Sequence, residues 1–279
     1  MKLINNKPIA ILLGVYNGSK YLADQLDSLI NQTNQDWTLY IRDDFSTDNS
    51  CEIISQYCAQ YPNFFLIEDN KGNLRCRDNF FQLLEAVDSD YYMFCDQDDI
   101  WLPTKIDLTF VKMKQNEILN IEKPIVIFTD LIVVDENLNE LSCSFWNYTK
   151  INPLIINKFE YLSVCNLMTG CTMMLNRNGY YTMLPISNKA VMHDCWIALK
   201  TIAAGGIIDF VIEPTILYRQ HENNVIGAKE IKKHYLSQKL RSFGLVLKQN
   251  KQNLEMVRSI REMYLIVFLY YKVLYYFKR

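Results

Sequence analysis

Glycine and histidine are scarce in this chain, with 9 Gly and 3 His in 279 residues. Long apolar runs are missing as well: no segment reaches the roughly 18–20 uninterrupted apolar residues that a membrane-crossing helix needs. The stretch Met1 to Pro8 lacks the long apolar region and small-residue cleavage site of a signal peptide. The eight cysteines are Cys51, Cys58, Cys76, Cys95, Cys143, Cys165, Cys171 and Cys195, and no two form a C-x-x-C pair. That argues against a zinc knuckle or a thioredoxin-like motif. Spread singly through apolar stretches, they read as reduced core residues of a cytoplasmic protein. The net charge is −2, from 29 Lys and Arg against 31 Asp and Glu, so no overall basic field exists to hold nucleic acid. No G-x-x-x-x-G-K-[ST] segment occurs, which disfavours a P-loop hydrolase.

What is present suits a globular protein. Hydrophobic residues make up 49% and charged residues 22%, a balance that argues against disorder. The length fits one large domain with a core that needs no disulfide or metal staple. Aromatic residues are abundant, 18 Tyr and 14 Phe, and many crowd the segment Met263 to Phe277.

The first half alternates strands and helices. Pro8 to Val15 is a continuous apolar run, as in a strand covered on both faces. Leu22, Leu26, Leu29 and Ile30 lie at helical spacing within Lys20 to Gln32. Further strands are expected at Trp37–Ile41, Phe64–Ile67 and Tyr91–Cys95, with helices at Cys51–Tyr61 and Asp78–Val87 and another opened by Pro103. Ser46, Thr47 and Asp48 read as capping residues. This rhythm predicts an α/β fold with a mostly parallel sheet and helices on both faces. In such sheets ligands bind beyond the carboxyl ends of strands. The second half is less regular. Strands are expected at Ile125–Val134, Gly170–Leu175 and Ile207–Ile212, a loop over 136–157, a helix at Cys195–Ala204, and helical pattern from about Lys229 onward. No internal repeat or glycine-serine linker is seen.

Four polar clusters follow these elements. Asp96-Gln97-Asp98-Asp99 ends a buried strand, and three carboxylates so close repel one another unless a cation offsets them. An oxygen-rich set suits Mg²⁺ or Mn²⁺ rather than zinc, although a solvated turn before a helix is the plainer reading of any isolated D-x-D. Asp43-Asp44, followed by Ser46-Thr47-Asp48, could bind a base or ribose, or simply form a turn. His193-Asp194 before a helix could hold a general base or a helix cap. The only other histidines are His221 and His234, so the upstream ligands of an HD-type phosphohydrolase are missing. Tyr218-Arg219-Gln220-His221 offers a phosphate-binding Arg and a possible ligand His, or else a polar loop.

Taken together the segments resemble glycosyltransferase family 2, of the GT-A fold. The matching pieces appear in order: VYNG, RDDFSTDNS, NKGN, FCDQDDIWLP, TGCTMMLNR, HDCW and YRQHENNVIG. The DQDD-x-W-x-P-x-K, HD-x-W and YRQH-x-x-N forms look most like the rhamnosyltransferase-like branch that builds bacterial surface polysaccharides. The resemblance covers residues 7 to 227. It departs at Phe45, where glycine is common.

The resemblance implies a GT-A, Rossmann-like mixed sheet, with residues 1–227 as the catalytic domain. Within it, 1–118 would form the nucleotide-sugar half and 119–227 the acceptor half, and 228–279 a C-terminal helical extension. It implies an inverting, metal-dependent transfer of L-rhamnose from dTDP-rhamnose to a hydroxyl of a surface-polysaccharide or lipid-linked oligosaccharide acceptor. A UDP-hexose or UDP-N-acetylhexosamine donor is the alternative within the fold. A non-catalytic nucleotide-sugar-binding subunit of an assembly complex is the alternative of another class. Tyr16 would stack on the base and Asp44 would hydrogen-bond it. Asp96 would lie near the ribose or sugar. Asp98 would bind Mn²⁺ or Mg²⁺, with Asp96 and His221 as further candidate ligands. Asp99 would approach the sugar or order its loop, and Trp101 would wall the sugar pocket. Asp194 would be the general base, and Arg219 and His221 would reach the diphosphate from a closing loop over 218–227.

The aromatic segment Met263–Phe277 is interrupted by Lys272 and is too short to cross a bilayer at about 1.5 Å per residue. Cations precede it at Lys232, Lys233, Lys239, Arg241, Lys248, Lys251, Arg258 and Arg261. Either it packs on the catalytic domain or a second copy, or it is an interfacial helix at the inner face of the cytoplasmic membrane.

Overall fold

The computed structural model describes residues 2–4, 7–222, 224, 227, 228 and 243–278. A short strand, Leu3–Ile4 (β1), precedes Ile9–Val15 (β2), which is buried throughout except at half-buried Gly14. There follow Leu22–Ile30 (α1), Trp37–Asp43 (β3), Ser50–Gln60 (α2), Phe64–Leu66 (β4), Arg75–Ala86 (α3), Val87–Asp88 (β5) and Tyr91–Cys95 (β6). Ile100–Trp101 (β7) and Lys105–Leu119 (α4) complete the first half. The second half holds Ile125–Val134 (β8), Glu140–Ser142 (β9), Phe145–Thr149 (α5), Phe159–Val164 (α6), Met174–Asn176 (β10), Arg177–Met183 (α7), His193–Ala203 (α8) and Ile207–Arg219 (β11). Two helices, Phe243–Arg258 (α9) and Leu265–Lys278 (α10), lie beyond it.

The main sheet has the order β4-β3-β2-β6-β10-β8-β11-β7, with β9 on β8. The β4-β3-β2-β6 portion is parallel; β10 runs antiparallel to both β6 and β8, and β8 and β11 are again parallel. Because successive side chains of a strand face opposite ways, β2 feeds two cores. Ala10 and Leu12 join one, with Phe80, Phe94, Phe128 and Trp196. Ile9, Ile11 and Leu13 join the other, with Trp37, Ile54, Trp101 and Met113. The expected mixed sheet with helices on both faces is therefore present.

Three segments differ from the sequence-based expectation. The strand expected at Ile207–Ile212 runs on to Arg219, because register irregularities on either side of Pro214 absorb a residue that has no N–H to give the ladder. The strand expected at Gly170–Leu175 is instead a 3-10 turn at Gly170–Thr172 followed by β10. There Thr172 donates its hydroxyl to the Thr169 carbonyl, a local bond that competes with a ladder. The 136–157 segment carries β9, α5 and a 3-10 turn rather than plain loop; Ser144 caps α5 by accepting the Asn147 amide.

The helical pattern expected from Lys229 is seen in α9 and α10, while 229–242, with Lys232, Lys233, His234, Lys239 and Arg241, lie outside the described residues. α10 packs on α6, where Tyr161 meets Tyr271 edge-on at 5.3 Å. Phe268 and Tyr275 enter the same core as Leu12 and Phe94.

Gly206 sits where the chain turns from α8 into β11. A Cβ there would lie 2.5 Å from the Pro124 carbonyl oxygen and 2.8 Å from that of Thr201, both backbone atoms that cannot move aside. Gly206→Ala should therefore destabilise the fold by about 2 kcal/mol in urea unfolding. Gly244→Ala, which meets nothing within 4 Å, should not lower stability.

Candidate functional site

The carboxyl ends of β2 and β3 are held together by side chains that read, in sequence, as a helix cap. The amide of Asn17 donates to Ser46 Oγ at 2.8 Å, that of Gly18 to Ser50 Oγ at 2.9 Å, and that of Ser19 to Asp48 Oδ2 at 3.0 Å. Thr47 returns the contact by donating its amide to Asn17 Oδ1. Against the opposing cost of its burial, the Ser50 hydroxyl, with the Ser19 and Ser50 amides, donates to Asp48 and holds it down to about 2. The residue expected to stack on a base, Tyr16, projects from this loop and is half exposed on the cleft. Gln97 accepts the Tyr16 amide at 2.8 Å and donates to its carbonyl at 3.0 Å. Its side chain fills the space where a Cβ on Gly18 would stand, 2.4 Å from Oε1.

Asp44 lines the cleft but is almost fully buried. Its carboxylate accepts from Arg42 Nη1 at 2.6 Å and from the amides of Leu74 and Arg75, each at 2.7 Å. Arg42 in turn grips Asp69. Asp44 thus fixes the turn that opens α3. Asn17, Phe45 and Arg75 have φ of 47°, 73° and 65°. The Phe45 value explains the preference for glycine at this position, since a side chain at positive φ is strained.

The acidic segment divides in two. Asp96 and Asp98 are half-buried and line the cleft. Burial, with the nearby carboxylates of Asp98 and Asp194, pushes Asp96 up to about 7. Asp98 Oδ2 lies 2.8 Å from His221 Nε2. Asp99 turns away from the cleft and is wholly buried, and its Oδ1 accepts the Arg219 amide at 3.1 Å. It therefore ties the acidic turn to the 218–221 segment, a contact different from the approach to the sugar or the ordering of its own loop that the sequence suggests. Burial drives its carboxyl well up.

Trp101 was expected in the wall of a sugar pocket, but it is 1% exposed and belongs to the second core. Lys105 lies over its ring at 4.6 Å, fully buried, and donates to the Thr172 carbonyl. Burial lowers that lysine to about 8. The W-x-P-x-K part of the motif is thus a support beneath the acidic turn. Its place is set by the packing of a large indole among the residues of the second core.

Arg219 also differs from expectation. Its guanidinium is almost fully buried and bonds Asp24 at 2.9 Å, the Asp98 carbonyl at 3.0 Å and the Glu136 carbonyl at 3.1 Å. It lies over the Tyr21 ring at 4.5 Å, and His221 meets the same ring at 4.9 Å. Arg219 therefore ties three segments together behind the cleft, and does not line it. Of the expected closing loop over 218–227, residues 223, 225 and 226 lie outside the described residues.

Asp194 lies in the first turn of α8, 5% exposed on the cleft. Its Oδ1 accepts the Cys195 amide and its Oδ2 accepts Asn166 Nδ2, both at 2.6 Å. Neighbouring His193 is buried against Phe80 at 4.4 Å and Phe94 at 5.0 Å, and burial lowers its basicity. The ring is buried beneath the cleft wall, which it helps to line, with Gly170 making room for it.

The cleft between these residues has a volume of about 2060 Å³. It gathers Tyr16, Asp44, Asp96, Asp98, Asp194 and His221 and leaves out Asp99, Trp101 and Arg219. Two lining residues escaped sequence reasoning. Arg75 brings an exposed guanidinium to the cleft, and Asn166 orients Asp194. Neither stands in an acidic or His-rich motif, so no local signal marked them.

The residues fit a divalent ion. Asp98 and His221 present an oxygen and an imidazole nitrogen side by side, and burial together with the neighbouring carboxylates has raised Asp96. Carboxylate with imidazole suits Mn²⁺ better than Mg²⁺. A second group, Asp96, Asp99 and Cys171, places ligand atoms within 4.8 Å of one another. The buried Cys171 thiol is pushed well up and so stays protonated, which makes that set a poor cation site.

Comparison with known proteins agrees with this geometry. Residues 10–177 match the family described as Glycosyl transferase family 2. The chain is 29% identical to the dTDP-rhamnosyl transferase RfbG of Shigella flexneri, over 77% of this chain and 74% of that one. It is 28% identical to the putative glycosyltransferase EpsE of Bacillus subtilis, over 48% of this chain and 46% of that one. Among solved structures, S. aureus TarS superposes with a TM-score of 0.61 at 14% identity, over 98% of this chain and 71% of that one. The mannosyltransferase PcManGT of Pyrobaculum calidifontis, in complex with GDP-Man and Mn²⁺, superposes at 0.58 and 12% identity, over 92% and 65%. The fold is GT-A.

The raised Asp96 has a measurable consequence. A carboxyl whose folded pKa of about 7 exceeds its unfolded value near 3.8 binds protons in the folded state that the unfolded chain has lost. Its contribution to stability is present below the lower value and is lost as pH rises through the upper one. In metal-free protein, the stability of Asp96→Asn relative to the native chain should therefore grow between pH 4 and 7 and level off above. Paired urea titrations across that range check this; a pH-independent difference would remove the assignment.

Proposed function

The chain belongs to glycosyltransferase family 2, and we propose that it transfers L-rhamnose from dTDP-rhamnose, with inversion, to a hydroxyl of a surface-polysaccharide or lipid-linked oligosaccharide acceptor. That it is a glycosyltransferase follows from the family. The observation that carries the mechanism is one cleft in which Asp194 and the Asp98–His221 pair both open onto the same space. The rhamnosyl reading is supported by the similarity to RfbG over most of both chains.

The chemistry follows from which groups face the cleft. Breaking the bond between the anomeric carbon and a nucleoside diphosphate gathers negative charge on the leaving oxygen. A divalent ion held by Asp98 and His221, with Asp96 beside them, would neutralise that charge as it develops. Arg75 supplies a cation from the side of the nucleotide, where Asp44 holds its backbone. Tyr16 offers an exposed ring for the base. Asp194 takes the proton from the acceptor hydroxyl as it attacks. Asn166 and the Cys195 amide each hold one of its oxygens, which fixes the carboxylate's orientation. A single displacement inverts the anomeric centre and needs no covalent intermediate, unlike the two-carboxylate retaining glycosidases.

Asp194→Asn should cut transfer by about 10²–10⁴-fold while nucleotide-sugar binding, read by calorimetry, stays near the native value. Near-normal turnover would remove Asp194 as the base. Asp98→Ala should abolish the Mn²⁺ dependence of nucleotide-sugar binding in the same experiment, and unchanged affinity would refute the metal assignment. The donor itself is tested by thermal shift against dTDP-rhamnose, UDP-glucose and UDP-N-acetylglucosamine. The greatest stabilisation should come from dTDP-rhamnose. A larger shift with either UDP-sugar would overturn the rhamnosyl reading.

A further inference from the structure

Charge is divided sharply along this chain. Residues 1–227 carry 17 Lys and Arg against 28 Asp and Glu, a net −11, while residues 228–279 carry 12 against 3, a net +9. The near-neutral total conceals an acidic catalytic unit joined to a basic tail. Asymmetry of this size between parts of a chain points to an acidic partner surface for the basic part.

The described portion of the tail adds a second, geometric observation. One side of α10 is sealed against α6, with Phe268 and Tyr275 buried. On the other side Ile266, Leu269, Tyr270, Val273 and Phe277 are between 47% and 82% exposed. At 100° per residue these five fall within an arc of about 100°, the width of a single apolar stripe. α10 contains no acidic residue. Exposed cations stand at both of its ends, Arg258 and Arg261 before it and Lys278 in its last turn. The helix has 14 residues, about 21 Å, so it is too short to cross a bilayer, and no described helix is long and apolar enough to do so.

We infer that the outer face of α10 docks in the plane of an anionic lipid surface. Its apolar stripe would enter the headgroup boundary and its flanking cations would meet the lipid charge. An apolar arc with a tyrosine, on a helix without acids and flanked by cations (with one exposed acid, Glu262, beside Arg261), is the pattern of an interfacial helix. The charge division also orients the molecule, since the acidic unit is repelled by the surface that attracts the tail. The C-terminal end of α10 lies beside the rim of the cleft. Asn152 donates to the Lys278 carbonyl at the end of α10, and its neighbour Ile151 lines the cleft. α9 touches the segment leading to Asp194, where Met256 Sδ accepts the Val191 amide. A saccharide carried on a lipid would reach the cleft without leaving the surface.

The test is flotation of the full-length protein with vesicles of phosphatidylcholine alone and of phosphatidylcholine with phosphatidylglycerol, without donor or acceptor. The protein should float with the anionic vesicles and much less with the neutral ones. Ile266→Glu combined with Val273→Glu and Phe277→Glu should weaken flotation by about tenfold or more. These side chains are exposed, and an unchanged melting temperature verifies the fold. Lys248→Glu with Lys251→Glu, on the exposed surface of α9, should reduce the preference for anionic lipid by a separate route. Failure of the native protein to float, or flotation of the stripe variant equal to that of the native protein, would overturn the inference. So would a dimer in sedimentation that the stripe variant splits in the absence of any flotation, which would assign the stripe to a second copy of the chain. Since donor and acceptor play no part, this result is independent of the proposed sugar transfer.

Discussion

Crowded negative charge at the carboxyl end of β6 is the constraint around which the cleft is built. Asp96, Asp98 and Asp99 fall within four residues, and Asp194 acts on the same space. Carboxylates this close in a partly dry site repel one another, and burial pushes Asp96 and Asp99 up. Each is handled differently. Asp99 is turned inward and given the Arg219 amide, above the buried Lys105. Asp98 is set against His221. Asp194 receives two donors, one from the amide that follows it in α8. Asp96 keeps its charge problem, with a value of about 7. The site is therefore prepared for a positive partner before one arrives, and the energy of binding that partner includes relief of this repulsion.

The same edge of the sheet carries strained backbone. Asn17, Phe45 and Arg75 all line the cleft with positive φ. Such conformations cost about 1–3 kcal/mol each for ordinary residues, least for Asn, and persist only where surrounding bonds hold them. Here the bonds are identifiable. Three successive amides, from Asn17 to Ser19, are gripped by the segment after β3, and the Arg75 amide is fixed by Asp44. The loops after β2 and β3 and the start of α3 thus form one interlocked rim. The backbones of Tyr16 and Arg75 are presented from it with little freedom to lose on binding, which favours affinity.

The architecture of the first half was readable because its signals are local. Apolar runs of strand length alternate with helical spacing, and the observed β2, β3, β4 and β6 match those runs within a residue or two. The second half was harder for physical reasons. β11 continues past Pro214 only because β8 beside it accommodates the irregular register, and that is a tertiary effect. The short helices α6 and α7 bury few turns each and leave weak periodicity. At the site, the acidic turn, Tyr16 and Asp194 were legible as residue types at strand and helix ends. Burial was not. Trp101 looks like a sugar-stacking ring until its core neighbours are known, and Ser46 and Asp48 look like caps until their bonds to the 17–19 amides are seen.

Arg219 shows most plainly why residue type alone misleads. An arginine beside a histidine, at the end of a strand, suggests a phosphate ligand. Its length, however, lets it reach Asp24 in α1, the Asp98 carbonyl in the acidic turn and the Glu136 carbonyl after β8 together. Three segments far apart in sequence are thereby held in register around the Tyr21 ring. That arrangement sets where His221 stands, and so where the Asp98–His221 pair can face the cleft. A lysine would carry the same charge but could not make three divergent bonds from one planar group. The requirement for arginine at this position is thus accounted for by geometry behind the site, while a cation for the ligand is available from Arg75 on the opposite rim.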